Sequence, residues 1–147
     1  MTEKEAREWL KSIKVYDEEG HSIVEQILQL RAVAESCTVR TDKESIQTSG
    51  SGDKMANIVG KIVDLEEKLS DIEDKVLERR MIFEKICQLM DDKRQTDFLT
   101  VRYYGGNSFY ETVMLLNLTD STARRIERKG ISEFTKHYNT IYCVKMP

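Results

Sequence analysis

Two long stretches of the chain repeat apolar side chains at alternating steps of four and three residues, and this repeat constrains the fold most. The first repeat runs from Trp9 to Cys37 and passes through Gly20. The second runs from Ile58 to Met90, with Arg79 as its charged member. This spacing gathers apolar side chains into one stripe along an α-helix. We therefore predict an all-α fold in which residues 1–91 form a long antiparallel helical hairpin.

The apolar stripe of the second repeat is wider than the seam of a two-stranded coiled coil, because Val59, Val63 and Leu77 extend it. A lone two-helix hairpin buries little apolar surface, so we expect hairpins from two chains to pair into a four-helix bundle, giving a homodimer. The residues predicted to carry this oligomerisation are Ile58, Ile62, Leu65, Leu69, Ile72, Val76 and Phe83.

Between the two repeats, from about residue 38 to residue 53, the apolar pattern disappears. This stretch contains a run of small polar residues and glycines at 48–52. Such composition is typical of a flexible connector between helices. We therefore predict a loop that joins the two long helices.

Several classes of site and location are disfavoured by the sequence. Cys37, Cys87 and Cys143 lie far apart without a C-x-x-C pair, which indicates reduced thiols rather than disulfides or a zinc site. No stretch resembles a signal peptide or a membrane span, so we expect a cytoplasmic protein without a membrane partner. No arrangement of acids, histidines or hydroxyls suggests catalysis, so we expect neither enzymatic activity nor a cofactor.

Residues 92–138 have the pattern of three shorter helices. The first is predicted from about Arg94 to Tyr104 and is ended by Gly105 and Gly106. Ser108 and Glu111 then fit a capping box, in which each side chain satisfies a backbone N–H at the start of a helix. Residues 117–120 favour a turn, and Thr119 or Asp120 can cap the last helix. The predicted inner stripe of that helix is Ala123, Ile126, Gly130 and Phe134.

The outer face of the last helix is basic. Residues 1–90 carry 14 Lys/Arg against 19 Asp/Glu, whereas residues 91–147 carry 9 against 7, and four of the six residues at 124–129 are cationic. This arrangement of a short helix, a tight turn and a helix with a basic face is typical of a helix-turn-helix, which places its second helix in the DNA major groove. The predicted DNA-binding residues are Ser121, Thr122, Arg124, Arg125, Arg128 and Lys129.

Two segments resemble known families. Residues 98–108 and 117–134 resemble the fourth conserved region of sigma factors. The chain as a whole resembles small phage and prophage proteins that are grouped with late transcription regulators of the ArpU and RinA kind. The resemblance lies in an early helix, followed by residues 49–66 and then by the two sigma-like segments. The resemblance covers about residues 7–138. Asp120, Glu127 and the bulky pair Phe109-Tyr110 depart from the sigma-like pattern.

The resemblance implies double-stranded DNA as the partner and control of late phage genes in a bacterial cell. In such a regulator, we expect the helical hairpin to serve for dimerisation or for contact with the host RNA polymerase. Two alternatives remain open. One is a DNA-packaging component of the small-terminase kind, although there the DNA-binding part usually comes first. The other is a structural or adaptor coiled coil that has lost DNA binding, as Asp120 and Glu127 would allow. Residues 139–147 form a tail that either packs on a neighbour or is disordered.

Overall fold

The structure, a computed structural model, describes residues 1–43 and 51–143, and within these residues every regular element is helical. The elements in chain order are α1 (Glu3–Lys43), α2 (Ser51–Leu89), α3 (Lys93–Leu99), a π-helical segment (Thr100–Tyr104), α4 (Phe109–Leu115) and α5 (Asp120–Tyr142). The prediction of an all-α fold is confirmed.

The two apolar repeats correspond to the two longest helices. Helix α1 continues through Gly20. Its start is capped on both sides: Thr2 Oγ1 accepts from the Glu5 backbone N–H at 3.2 Å, and Glu5 Oε2 accepts from the Thr2 backbone N–H at 2.7 Å. The predicted connector at residues 38–53 is shortened from both sides, because α1 extends to Lys43 and α2 begins at Ser51. Residues 44–50 lie outside the described part of the chain.

The chain divides into two compact units. We call residues 17–75 the middle unit, and residues 1–16 together with the described residues from Val76 onward the terminal unit. This division does not coincide with the expected boundary at residue 91. The first turns of α1 and the last turns of α2 belong with the short helices, because their apolar side chains share one core.

In the middle unit, α1 and α2 contribute segments that run antiparallel. A methyl group placed at Gly20 would lie 3.7 Å from Ile72 Cγ2, and Arg31 Nη2 lies 2.8 Å from Glu66 Oε1. Residues later in α1 therefore contact residues earlier in α2, as in an antiparallel pair. Among the side chains of this unit that the structure describes, those of Ile23, Ile27, Ile58 and Ile72 are buried.

The terminal unit is built around an aromatic cluster. Phe134 of α5 is fully buried, and its ring centroid lies 5.6 Å from that of Trp9 on α1 and 6.0 Å from that of Phe83 on α2. The buried members of this core are Ala6, Leu10, Ile13, Phe83, Ile86, Met90, Leu99, Tyr103, Ile131 and Phe134. Helix α5 is thus packed against parts of the chain that lie far from it in sequence.

The helix predicted for residues 94–104 consists of α3 and the π-helical segment. The backbone N–H of Gly105 donates to the Thr100 carbonyl at 2.8 Å, which closes the wider π-type turn. A Cβ at Gly105 would lie 2.7 Å from the Val101 carbonyl oxygen, and Gly106 has a φ of 71°. Both positions therefore require glycine, and the prediction that this pair ends the helix is confirmed.

Part of the tail predicted for residues 139–147 is helical, since α5 extends to Tyr142. Asn139 Nδ2 donates to the Met1 carbonyl at 2.8 Å, and Ile141 packs against the core of the terminal unit. Residues 144–147 lie outside the described part of the chain.

Replacing Phe134 by alanine tests this core. Loss of a fully buried phenyl ring leaves a cavity, so we expect Phe134→Ala to lower the free energy of unfolding by about 3–5 kcal/mol. The matched control is Met114→Ala on α4, whose side chain is 80% exposed; we expect a change within about 0.5 kcal/mol. Urea denaturation followed by circular dichroism measures both values. Equal values for the two variants would contradict the assigned core.

Candidate nucleic-acid interface

Helices α4 and α5 are joined by a turn whose local geometry follows from its residues. Ser108 and Glu111 form the predicted capping box at the start of α4. After α4, the N–H of Leu118 donates to the Val113 carbonyl at 3.0 Å and the N–H of Asn117 donates to the Met114 carbonyl at 3.2 Å. With Asn117 at a φ of 53°, this is a Schellman motif. Asparagine is one of the few residues other than glycine that adopt this left-handed conformation readily.

Thr119 caps the start of α5, and its hydroxyl oxygen accepts from the Thr122 backbone N–H at 3.4 Å. This matches one of the two predicted caps. Asp120 occupies the first turn and is exposed, where its carboxylate favours the positive end of the helix dipole.

A small core holds the three short helices together. Its buried members are Phe98 from α3, Val113 from α4, and Ala123 and Ile126 from α5. All four residues of the predicted inner stripe of α5 are buried, including Gly130 and Phe134. A Cβ at Gly130 would lie 3.4 Å from Leu99 Cγ, so α3 and α5 approach closely at this point. This packing also determines which of the remaining α5 side chains face outward.

The residues predicted to bind DNA lie mostly on the outside of α5. Ser121, Arg124, Arg125, Arg128 and Lys129 are exposed. Thr122 is half-buried, and its hydroxyl accepts from the Thr119 hydroxyl at 2.8 Å. Among the residues that the structure describes, the four cationic side chains of this set form no ion pair with an acid. Their charge is therefore uncompensated by a direct partner.

Two of these arginines, Arg124 and Arg128, line an open cleft of about 440 Å³. The other lining residues come from α1, the π-helical segment, α4 and α5 itself, and they include two further arginines that were not predicted. The complete lining is Arg7, Arg102, Phe109, Tyr110, Arg124, Glu127 and Arg128. We call this site the arginine cleft. Its four arginines exceed its acid by three positive charges.

Glu127 is the only acid of the arginine cleft, and it is buried, with 6% of its surface exposed. Its Oε1 lies 2.6 Å from Arg7 Nη1, and its Oε2 lies 3.5 Å from Arg102 Nε. The hydroxyl of Tyr103 donates to Oε1 at 3.3 Å. Burial raises the pKa of Tyr103, and the negative charge of Glu127 raises it further. Glu127 thus forms a buried ion-pair network, which accounts for an acid at a position that is apolar in the sigma-like pattern.

Aromatic rings also hold the arginines. The guanidinium carbon of Arg124 lies 4.9 Å from the ring centroid of Phe109, and that of Arg102 lies 5.5 Å from the same centroid. Arg102 also lies 5.2 Å from the ring centroid of Tyr103. Such cation–π contacts fix the guanidinium groups without neutralising their charge.

Sequence reasoning identified Arg124 and Arg128 but missed Arg7 and Arg102. Arg7 is 120 residues from Glu127 along the chain, so no local pattern joins them. One signal was present. Glu127 follows Ala123 by one helical turn on the inner side of α5, and a buried carboxylate there requires a cation from a packed neighbour.

The predicted oligomerisation residues differ in how far their side chains are exposed to solvent within one chain. Ile58, Ile72, Val76 and Phe83 are buried within the chain, whereas Ile62, Leu65 and Leu69 are half-buried. The apolar residues that remain exposed on α2 are Val59, Val63, Leu77, Met81 and Leu89.

Comparisons with known proteins give no match: no family model, curated protein or solved structure matches this chain. Among the described residues, no group of three histidines, cysteines or acids could hold a metal ion. The described helices also include none that is long and apolar enough to cross a membrane.

Removing the Glu127 carboxylate tests the ion-pair network. We expect Glu127→Ala to lower the free energy of unfolding by about 2–4 kcal/mol, because Arg102 would keep a largely buried charge without its partner. Glu133→Ala is the matched control on the same helix, since Glu133 forms a pair with the exposed Lys136 at 3.1 Å. Exposed pairs contribute little, so we expect a change below about 1 kcal/mol. A loss for Glu127→Ala no larger than that of the control, in chemical denaturation, would contradict the network.

Proposed function

We propose that this protein is a sequence-specific DNA-binding transcription regulator of phage origin that acts on late genes as a homodimer. The observation that carries the proposal is the row of exposed arginines on α5, which have no acidic partner among the described residues and follow a tight turn after α4. Arginines on such a face can take guanine edges or backbone phosphates. The resemblance of residues 98–134 to the fourth region of sigma factors supports the same proposal.

The burial of Glu127 removes one objection to DNA binding. Its carboxylate is buried and paired with Arg7 and Arg102 instead of facing outward, so it repels a phosphate at the α5 surface less than an exposed acid would. Asp120 remains exposed at the start of α5 and opposes close approach of the backbone there. The basic surface of one copy is small, and the phosphate contacts of two copies would add to the affinity.

The adaptor alternative is favoured by a different surface. Helix α4 exposes three large apolar or aromatic side chains: Tyr110 at 62%, Met114 at 80% and Leu115 at 65%. Exposed apolar groups of this kind are typical of protein contacts. In the regulator proposal, α4 would bind a protein such as the host RNA polymerase while α5 binds DNA. In the adaptor alternative, the protein contact would be the whole function.

Three arginine substitutions test the DNA-binding proposal. We expect Arg124→Ala, Arg125→Ala and Arg128→Ala together to abolish binding to duplex DNA at low salt and to leave helicity intact. The control replaces Lys54, Lys61 and Lys68 of α2 by alanine, which removes the same charge from exposed positions of the middle unit. Fluorescence anisotropy with a labelled duplex measures the affinity. Equal affinity for the arginine variant and wild type would exclude this face as the DNA-binding surface.

Solution mass tests the homodimer. Light scattering should give about twice the 17.1 kDa of one chain. We expect Val59→Asp with Val63→Asp to halve the mass, because these side chains are 50% and 47% exposed and continue the apolar face of α2. Lys61→Asp, an exposed position between them, should leave the dimer intact. A monomeric wild-type chain would contradict the dimer, and a ring of many subunits would favour the packaging alternative.

A further inference from the structure

We propose that the arginine cleft is a phosphate-binding site, in which Arg102 and Arg7 act together with Arg124 and Arg128. The preferred ligand, a phosphodiester group of duplex DNA, rests on the proposed function. The phosphate chemistry itself does not, because a free phosphorylated compound would offer the same group. Neither Arg7 nor Arg102 belongs to the helix from which DNA binding was predicted.

The charge of the cleft is arranged to receive an anion. Four guanidinium groups from α1, the π-helical segment and α5 converge on one space, and only Glu127 opposes them. Guanidinium groups bind phosphate oxygens through paired N–H donors, and this geometry is why arginine is favoured at phosphate sites. The lining of the cleft has a net charge of three positive charges, which indicates an anionic ligand.

Arg102 provides the second observation. Its Nε faces Glu127, whereas its Nη1 is buried and has no hydrogen-bond partner in the structure. A buried N–H group without an acceptor is unfavourable, so an arriving ligand oxygen that accepts from it gains more than it would at an exposed arginine. The Arg102 side chain lines the cleft and is 18% exposed as a whole, whereas Nη1 itself is buried. A ligand oxygen would therefore reach Nη1 through a small adjustment of the guanidinium group.

Glu127 and Phe109 are positioning residues in this proposal. The carboxylate holds Arg7 and Arg102 from one side, through Arg7 Nη1 and Arg102 Nε. The Phe109 ring lies within 5.5 Å of the guanidinium carbons of both Arg102 and Arg124. The donors are thus fixed before a ligand arrives, which lowers the entropic cost of binding.

The cleft shares two residues with the exposed face of α5, and this favours DNA as the source of the phosphate. Arg124 and Arg128 lie one helical turn apart, and both line the cleft. A DNA backbone that follows the outer face of α5 would therefore pass over the opening of the cleft. Its volume of about 440 Å³ is also within the range of sites for small ligands, so a phosphorylated compound would fit.

The first test uses inorganic pyrophosphate as the probe and isothermal titration calorimetry on the full chain. We expect Arg102→Gln to weaken pyrophosphate binding about tenfold or more, as loss of a charge-assisted donor does. Arg94→Gln is the matched control, because Arg94 is exposed on α3 and does not line the cleft; we expect less than about a threefold change.

Glu127→Gln separates a phosphate site from an ion pair that only stabilises the fold. Glutamine removes the negative charge that opposes the ligand but keeps a side-chain oxygen that can still accept from Arg7. The arginine is therefore still positioned, and pyrophosphate binding should become stronger. Arg102→Lys retains the charge and should restore part of the affinity, so the test does not depend on a variant that fails to fold. Equal affinity for Arg102→Gln and Arg94→Gln, or weaker binding by a folded Glu127→Gln chain, would overturn the proposal.

The salt dependence of duplex binding identifies the source of the phosphate. If a DNA phosphodiester occupies the cleft, Arg102→Gln should lower the slope of log affinity against log salt by about 0.9. If pyrophosphate binding requires Arg102 but the slope is unchanged, the phosphate site stands with a free compound as its ligand. The same holds if pyrophosphate binding requires Arg102 and wild type binds no duplex, and absence of duplex binding contradicts the proposed function alone. If pyrophosphate binding is indifferent to Arg102, the inference fails, whatever the DNA result.

Discussion

The packing of Phe134 against Trp9 and Phe83 is the interaction on which the rest of the terminal unit depends. These three rings join α5 to the first turns of α1 and the last turns of α2, with centroid separations of 5.6 and 6.0 Å. Because Phe134 is fully buried, the rotation of α5 about its own axis is determined at this point. The basic side chains one to three turns earlier must then face away from the core. The candidate interface is therefore a consequence of long-range apolar packing.

The buried charge of Glu127 depends on the same arrangement. A carboxylate at this depth is unfavourable unless cations reach it. Arg7 reaches it only because the first turns of α1 pack against the cluster that contains Phe134, and Arg102 reaches it from the π-helical segment. One acid thereby brings two arginines beside the arginines of α5. This gives a cleft whose charge is positive although the whole chain has a net charge of −3.

Sequence reasoning succeeded where the determining contacts are local. The caps at Ser108 and Thr119 each depend on residues three positions apart, and the inner stripe of α5 depends on helical spacing alone. It failed where partners are distant. The pairing of Arg7 with Glu127 is invisible to any pattern within one helix. The core of the terminal unit likewise combines apolar side chains of α1 and α2 with those of α5, which lie far apart in sequence.

The central claim, that the face formed by α5 and the arginine cleft binds DNA, is tested most directly by nuclear magnetic resonance of the isotope-labelled chain titrated with a short duplex. If DNA binds there, the side-chain signals of Arg102, Arg124 and Arg128 and the signals of Tyr110 shift together on addition of DNA. These shifts should also diminish as salt is raised, because the contacts are to phosphates. Shifts confined to the exposed face of α2, or signals of these four residues that do not change while DNA is bound, would contradict it.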